Sequence, residues 1–112
     1  MDQQRTILQL TINNKTSLHA SYMPFLKGGG LFVPTDTDHH FGDEVVVVTS
    51  IVYLDKKIAI PGKVAWIAPK SGATSQQGVG VMFSGPTKMK IKLALESILG
   101  DLANKPSLNH LY

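Results

Sequence analysis

The sequence predicts a small antiparallel β-barrel, plugged or flanked by one C-terminal helix. Three observations carry that reading. From Leu8 to Phe83 the apolar residues fall mainly into short period-two runs, the spacing of half-buried strands. Those runs are bounded by clusters of Gly, Pro, Asn and Asp, which break pairing. After Gly85-Pro86-Thr87 the apolar spacing changes to that of one helical face. The 112 residues make a single domain. Within it we expect a barrel over about 6–84, a helix over about 87–99 and a short tail over about 101–112.

Leu8, Leu10 and Ile12 alternate with Gln9 and Thr11 and predict the first strand. Asn13-Asn14-Lys15 is a turn by composition, because asparagine tolerates left-handed backbone angles. Leu18, Ala20 and Tyr22 alternate with His19 and Ser21, which predicts a second strand. Met23-Pro24 ends its pairing, since proline has no N–H to donate. The triple glycine Gly28-Gly29-Gly30 allows a tight bend into an extended Leu31-Phe32-Val33. Thr35 to Asp43 is a polar loop. Glu44 to Leu54 is β-branched and nearly all apolar, so it predicts a central strand, and Asp55-Lys56-Lys57 predicts the hairpin turn after it. Ile58 to Ile67 returns, with a bulge or bend at Pro61-Gly62. A polar loop over Pro69–Gln77 leads to the last strand, Gly78–Phe83. Ile91, Leu95, Ile98, Leu99 and Leu102 then share a helical face, started near Pro86 and stopped near Gly100.

Composition excludes several functions. Without cysteine there are no disulfides, thiolate metal sites or cysteine nucleophiles. The formal net charge is +3, yet Arg5 is the one arginine. Lysine offers a point charge and no bidentate fork for phosphate, guanine or carboxylate. The longest apolar stretch, Val45 to Leu54, is interrupted and far shorter than a membrane span, and no targeting segment is evident, so we expect a soluble cytoplasmic protein. No serine sits in a Gly-x-Ser-x-Gly context and no carboxylate pair is patterned for acid/base work, so no enzyme is expected.

Four local features remain. The triple glycine lacks the following helix and Gly-Lys-Ser/Thr of a phosphate loop, and reads as a bend. Asp36, Asp38, His39 and His40 offer metal-binding side chains at spacings with no recognised mechanism, and read as a solvated loop. Lys88, Lys90 and Lys92 make a basic stripe where a helix start disfavours cations, which leaves a solvated face or contact with a membrane or nucleic acid. Tyr22, Met23, Pro24, Phe25 and Leu26 bring large or rigid side chains together before a flexible run, which suits either partner docking or core packing. Leu108, Leu111 and Tyr112 in the tail are similarly either a docking segment or a loose end.

The run Tyr22-Met23-Pro24-Phe25-Leu26-Lys27-Gly28-Gly29-Gly30-Leu31-Phe32-Val33-Pro34-Thr35 resembles the hallmark of the PilZ proteins of type IV pilus assembly. So do Gly42-Asp43-Glu44-Val45, Pro61-Gly62-Lys63-Val64-Ala65-Trp66, Gly78-Val79-Gly80-Val81-Met82-Phe83 and the short Asn104-Lys105-Pro106-Ser107, in the expected order. The resemblance implies an all-β, six-stranded antiparallel barrel of PilZ type with a C-terminal helix.

Receptors of the wider superfamily bind cyclic di-GMP through an Arg-x-x-x-Arg pair and an Asp/Asn-x-Ser-x-x-Gly turn. Aligning the glycines puts Phe25 at the acidic position, Lys27 at the serine and Gly30 at the final glycine, and Arg5 has no second arginine. The resemblance therefore implies the fold without the ligand. It implies a non-enzymatic adaptor for type IV pilus biogenesis and twitching motility, with no cofactor. The partners implied are the pilus-extension ATPase PilB and the GGDEF–EAL regulator FimX. The competing reading is a small β-barrel receptor for a nucleotide or nucleic acid, which the basic charge keeps open.

Overall fold

A computed structural model describes residues 6–51, 56–69 and 77–105. Five strands among these residues form one mixed sheet that curls into a half-barrel. In chain order the elements are β1 (Thr6–Ile12), α1 (Lys15–Ser21), β2 (Gly30–Pro34), β3 (Glu44–Ile51), β4 (Lys56–Ala68), β5 (Gly78–Phe83) and α2 (Lys88–Leu99). A 3₁₀ turn over Gly100–Asn104 follows. The strand order is β1-β3-β4-β5-β2.

The expectation of six antiparallel strands needs two corrections. The second expected strand is α1. Asn14 caps it, with Oδ1 accepting from the Ser17 N–H at 2.8 Å. Leu18 and Tyr22, two apart in an alternating series, are also i and i+4, so the same residues mark one helical side. Both are buried. The second correction is pairing: β1 runs parallel to β3, Leu8 opposite Val47 and Ile12 opposite Ile51, while the other pairs are antiparallel.

The remaining elements need smaller adjustments. Lys56 and Lys57 already pair with Ile51 and Ser50 in β4, so the expected turn does not include them, and its first residue, Asp55, lies outside the described residues. Pro61 stays in register opposite Val46, and the register shift lies between Val64 and Trp66. The shift is decisive for the outer surface, because a bulge reverses which side of the sheet later residues face.

The main core fills the concave side. Leu8, Leu10 and Ile12 meet Val45, Val47 and Ile51, and β2, β4 and β5 add Leu31, Val33, Ile60, Val64, Val79, Val81 and Phe83. Leu95 and Leu99 on α2 close it, with Ile91, Ile98 and Leu102 packed alongside. Gly100, at φ 59°, ends α2 and donates its N–H to the Glu96 carbonyl. Among the described residues one buried side chain is polar: Thr49 is fully buried, and its Oγ1 has no hydrogen-bond partner there.

A candidate docking site built on the outer face of the sheet

The chain leaves α1 through Tyr22, whose N–H donates to the Leu18 carbonyl at 2.8 Å. Tyr22 makes an isolated antiparallel bridge to Leu31, and the Met23 N–H donates to the Gly30 carbonyl at 2.8 Å. This short extended step sends neighbouring side chains to opposite sides, as any extended backbone does. Tyr22 enters the main core, and Met23 enters a second cluster with Phe32 and Ala68, flanked by Leu26 and Trp66.

Two tight turns then carry the chain back. The Leu26 N–H donates to the Met23 carbonyl at 3.3 Å, and the Gly29 N–H to the Leu26 carbonyl at 2.8 Å. Gly28 and Gly29 have φ of 79° and 85°, values that L side chains rarely adopt. The second cluster needs a thin sheet beneath it. A Cβ at Gly80 would lie 2.7 Å from both Met23 Sδ and Trp66 Cβ, and one at Gly78 would lie 2.6 Å from Phe32 Cζ. The glycines of β5 make the hollow into which the Met23 loop is set.

The five residues singled out in this loop thus divide. Tyr22 is 3% exposed and Met23 fully buried, so their side chains belong to packing and present no surface anchor. Pro24 is exposed, Leu26 half-buried and Phe25 62% exposed. The Phe25 ring stands edge-on to Trp66, with centroids 6.0 Å apart and planes at 72°. Trp66 Nε1 lies buried and has no hydrogen-bond partner among the described residues. Trp66 completes this face, although it is not among the residues that the sequence singles out. Counting by twos from buried Val64 places Trp66 inside, whereas the register shift turns it outward. Leu108, Leu111 and Tyr112 lie outside the described residues.

Tyr22 ties the loop to α2. Its hydroxyl donates to Glu96 Oε2 at 2.6 Å, and Lys92 Nζ reaches the same oxygen at 3.3 Å. Burial raises the Tyr22 pKa above its ordinary value, and the bond to the Glu96 carboxylate raises it further. The hydrogen bond from Tyr22 lowers the Glu96 pKa despite partial desolvation, with Lys92 adding to the effect. The Lys92 stem packs against the same turn, since a Cβ at Gly29 would lie 3.4 Å from Lys92 Cγ.

The polar loop before β3 is organised by its own hydrogen bonds. Thr37 Oγ1 lies 2.8 Å from Thr35 Oγ1 and 2.7 Å from His39 Nε2, and the His40 N–H donates to Asp43 Oδ2 at 2.9 Å. Among the described residues no three side chains of metal-binding type converge, at Asp36, Asp38, His39 and His40 or elsewhere. No helix among them is long and apolar enough to cross a membrane.

A comparison with protein families matches the PilZ domain over residues 4–99. No curated protein matches the chain.

Proposed function

The chain belongs to the PilZ domain family, and from that premise we propose that it is an adaptor of type IV pilus biogenesis and twitching motility. PilZ domains are generally non-enzymatic binding or adaptor domains associated with cyclic di-GMP signalling. In our reading this one engages its partners by surface contact, with the pilus-extension ATPase PilB and the EAL-domain regulator FimX as those partners. The regulator senses the nucleotide and the adaptor relays its state by contact. Such a chain works without a cofactor and in the cytoplasm.

The observation that carries this reading is Phe25. It occupies the position where the receptor turn holds an acidic residue, and it offers a 62% exposed ring braced on Trp66. A benzyl group cannot accept a hydrogen bond from a guanine edge, and it favours an apolar partner. The exposed side chains of this loop suit docking better than nucleotide capture. Calorimetric titration of the full chain with cyclic di-GMP tests the proposal. No saturable heat at micromolar ligand is the expected result, and a stoichiometric micromolar site would overturn it in favour of a receptor.

A further inference from the structure

The basic stripe at the start of α2 lies outside the docking face just described. Met89 and Leu93 are 54% and 57% exposed, and at i and i+4 they form one outward ridge. Lys90 and Ala94 continue that exposed side, and Lys88 is exposed at the start of the helix. Lys27 is exposed next to Gly28, where a Cβ would lie 4.0 Å from Lys88 Cδ, so its turn meets the same end of α2.

The charges there are uncompensated. Lys92 is matched by Glu96, whereas Lys27, Lys88 and Lys90 make no ion pair among the described residues. The first turn of α2 holds no acidic residue. Cations in that turn oppose the helix dipole, so helix stability does not explain them.

We propose that this end of α2 is a peripheral contact for an anionic membrane surface, with Lys27, Lys88 and Lys90 at the phosphate level and Met89 and Leu93 dipping below it. Charge complementarity names the occupant. Lysines give point attraction without the forked geometry of a specific protein ion pair. A convex helix ridge bearing two apolar side chains suits a planar headgroup layer, which needs no matching knob or groove. Basic charge plus a small apolar insertion is the two-part signal of reversible membrane binding.

Co-sedimentation of the full chain with vesicles of 70% phosphatidylcholine and 30% phosphatidylglycerol tests this. Each lysine near an anionic surface strengthens binding roughly fivefold, so three give about a hundredfold over pure phosphatidylcholine vesicles. We expect binding at millimolar lipid that disappears at high salt. K88E/K90E and M89S/L93S should each lose at least about tenfold while staying folded, because all four side chains are exposed; K88E/K90E should melt no lower than wild type, since acidic residues suit the first turn of a helix, and M89S/L93S within a few degrees of it. Equal sedimentation with both lipid compositions, or wild-type binding by both variants, would overturn the proposal. So would a chain that ignores the vesicles but shifts its Lys90 and Leu93 resonances with an acidic amphipathic peptide, which would assign the ridge to a protein.

Discussion

Replacing Tyr22 by phenylalanine removes one oxygen from a packed ring and isolates the bond that joins the loop after α1 to α2. The ring is 3% exposed, and its hydroxyl donates to Glu96 Oε2 at 2.6 Å. A hydrogen bond to a charged acceptor contributes about 1.5–3 kcal/mol. Glu96 keeps Lys92 at 3.3 Å and a side chain 30% exposed, so the lower part of that range, about 1.5–2 kcal/mol, applies. For a chain of 112 residues this lowers the melting temperature by about 6–8 °C. Urea denaturation of wild type, Tyr22→Phe, Glu96→Ala and the double variant measures the coupling directly, and we expect about 1 kcal/mol or more. The pH dependence has a defined sign. Glu96, with its pKa lowered on folding, contributes stability that is full above the ordinary carboxylate range and lost as the pH falls through its folded pKa. Tyr22, with its pKa raised, contributes below about pH 10 and loses that contribution as the pH rises beyond it. Both dependences should flatten in Tyr22→Phe. A variant within about 0.3 kcal/mol of wild type, with no coupling in the cycle, would show that the Tyr22–Glu96 bond contributes nothing to the fold.

Three further outcomes are expected. Thr49→Val removes a buried hydroxyl without a partner and nearly preserves shape, so it should stabilise the fold by about 1–2 kcal/mol in urea denaturation. Gly80→Ala places a methyl 2.7 Å from Met23 Sδ and Trp66 Cβ, and should lower stability by about 1–3 kcal/mol while shifting the Trp66 emission. Removing residues 105–112 should leave the circular dichroism spectrum and cooperative melting intact, because every described strand and α2 precede them, yet weaken capture of one partner.

The legible parts of the fold are those in which local pattern and burial agree. β5 keeps its bounds, with Val79, Val81 and Phe83 in the core at every second position, and β3 forms over Glu44–Ile51 inside the longer expected run, where buried residues alternate with partly exposed ones. α2 follows its 3.6-residue spacing and its stop at Gly100. α1 was illegible for a degenerate reason: five alternating residues satisfy a strand and also an i, i+4 helical pair, and the Asn14 cap outweighs the alternation. The parallel pairing of β1 with β3 is a long-range property with no local signature. Part of the candidate site was readable. The Tyr22–Leu26 run marks the loop set against the outer face of the sheet, but which side chains point inward depends on the extended step at Tyr22–Met23 and on the shift before Trp66. Both are set by contacts between segments far apart in sequence.

We propose Phe25, braced on Trp66, as a docking anchor rather than part of a ligand site. Calorimetry of the full chain against purified PilB, with wild type and Phe25→Ala side by side, tests it most directly. Wild type should bind saturably, and the variant should lose about thirtyfold or more, the scale of an aromatic hot spot. The melting temperature should hold, since the ring is 62% exposed. A Phe25→Ala chain that binds PilB as tightly as wild type would show that the ring is no anchor.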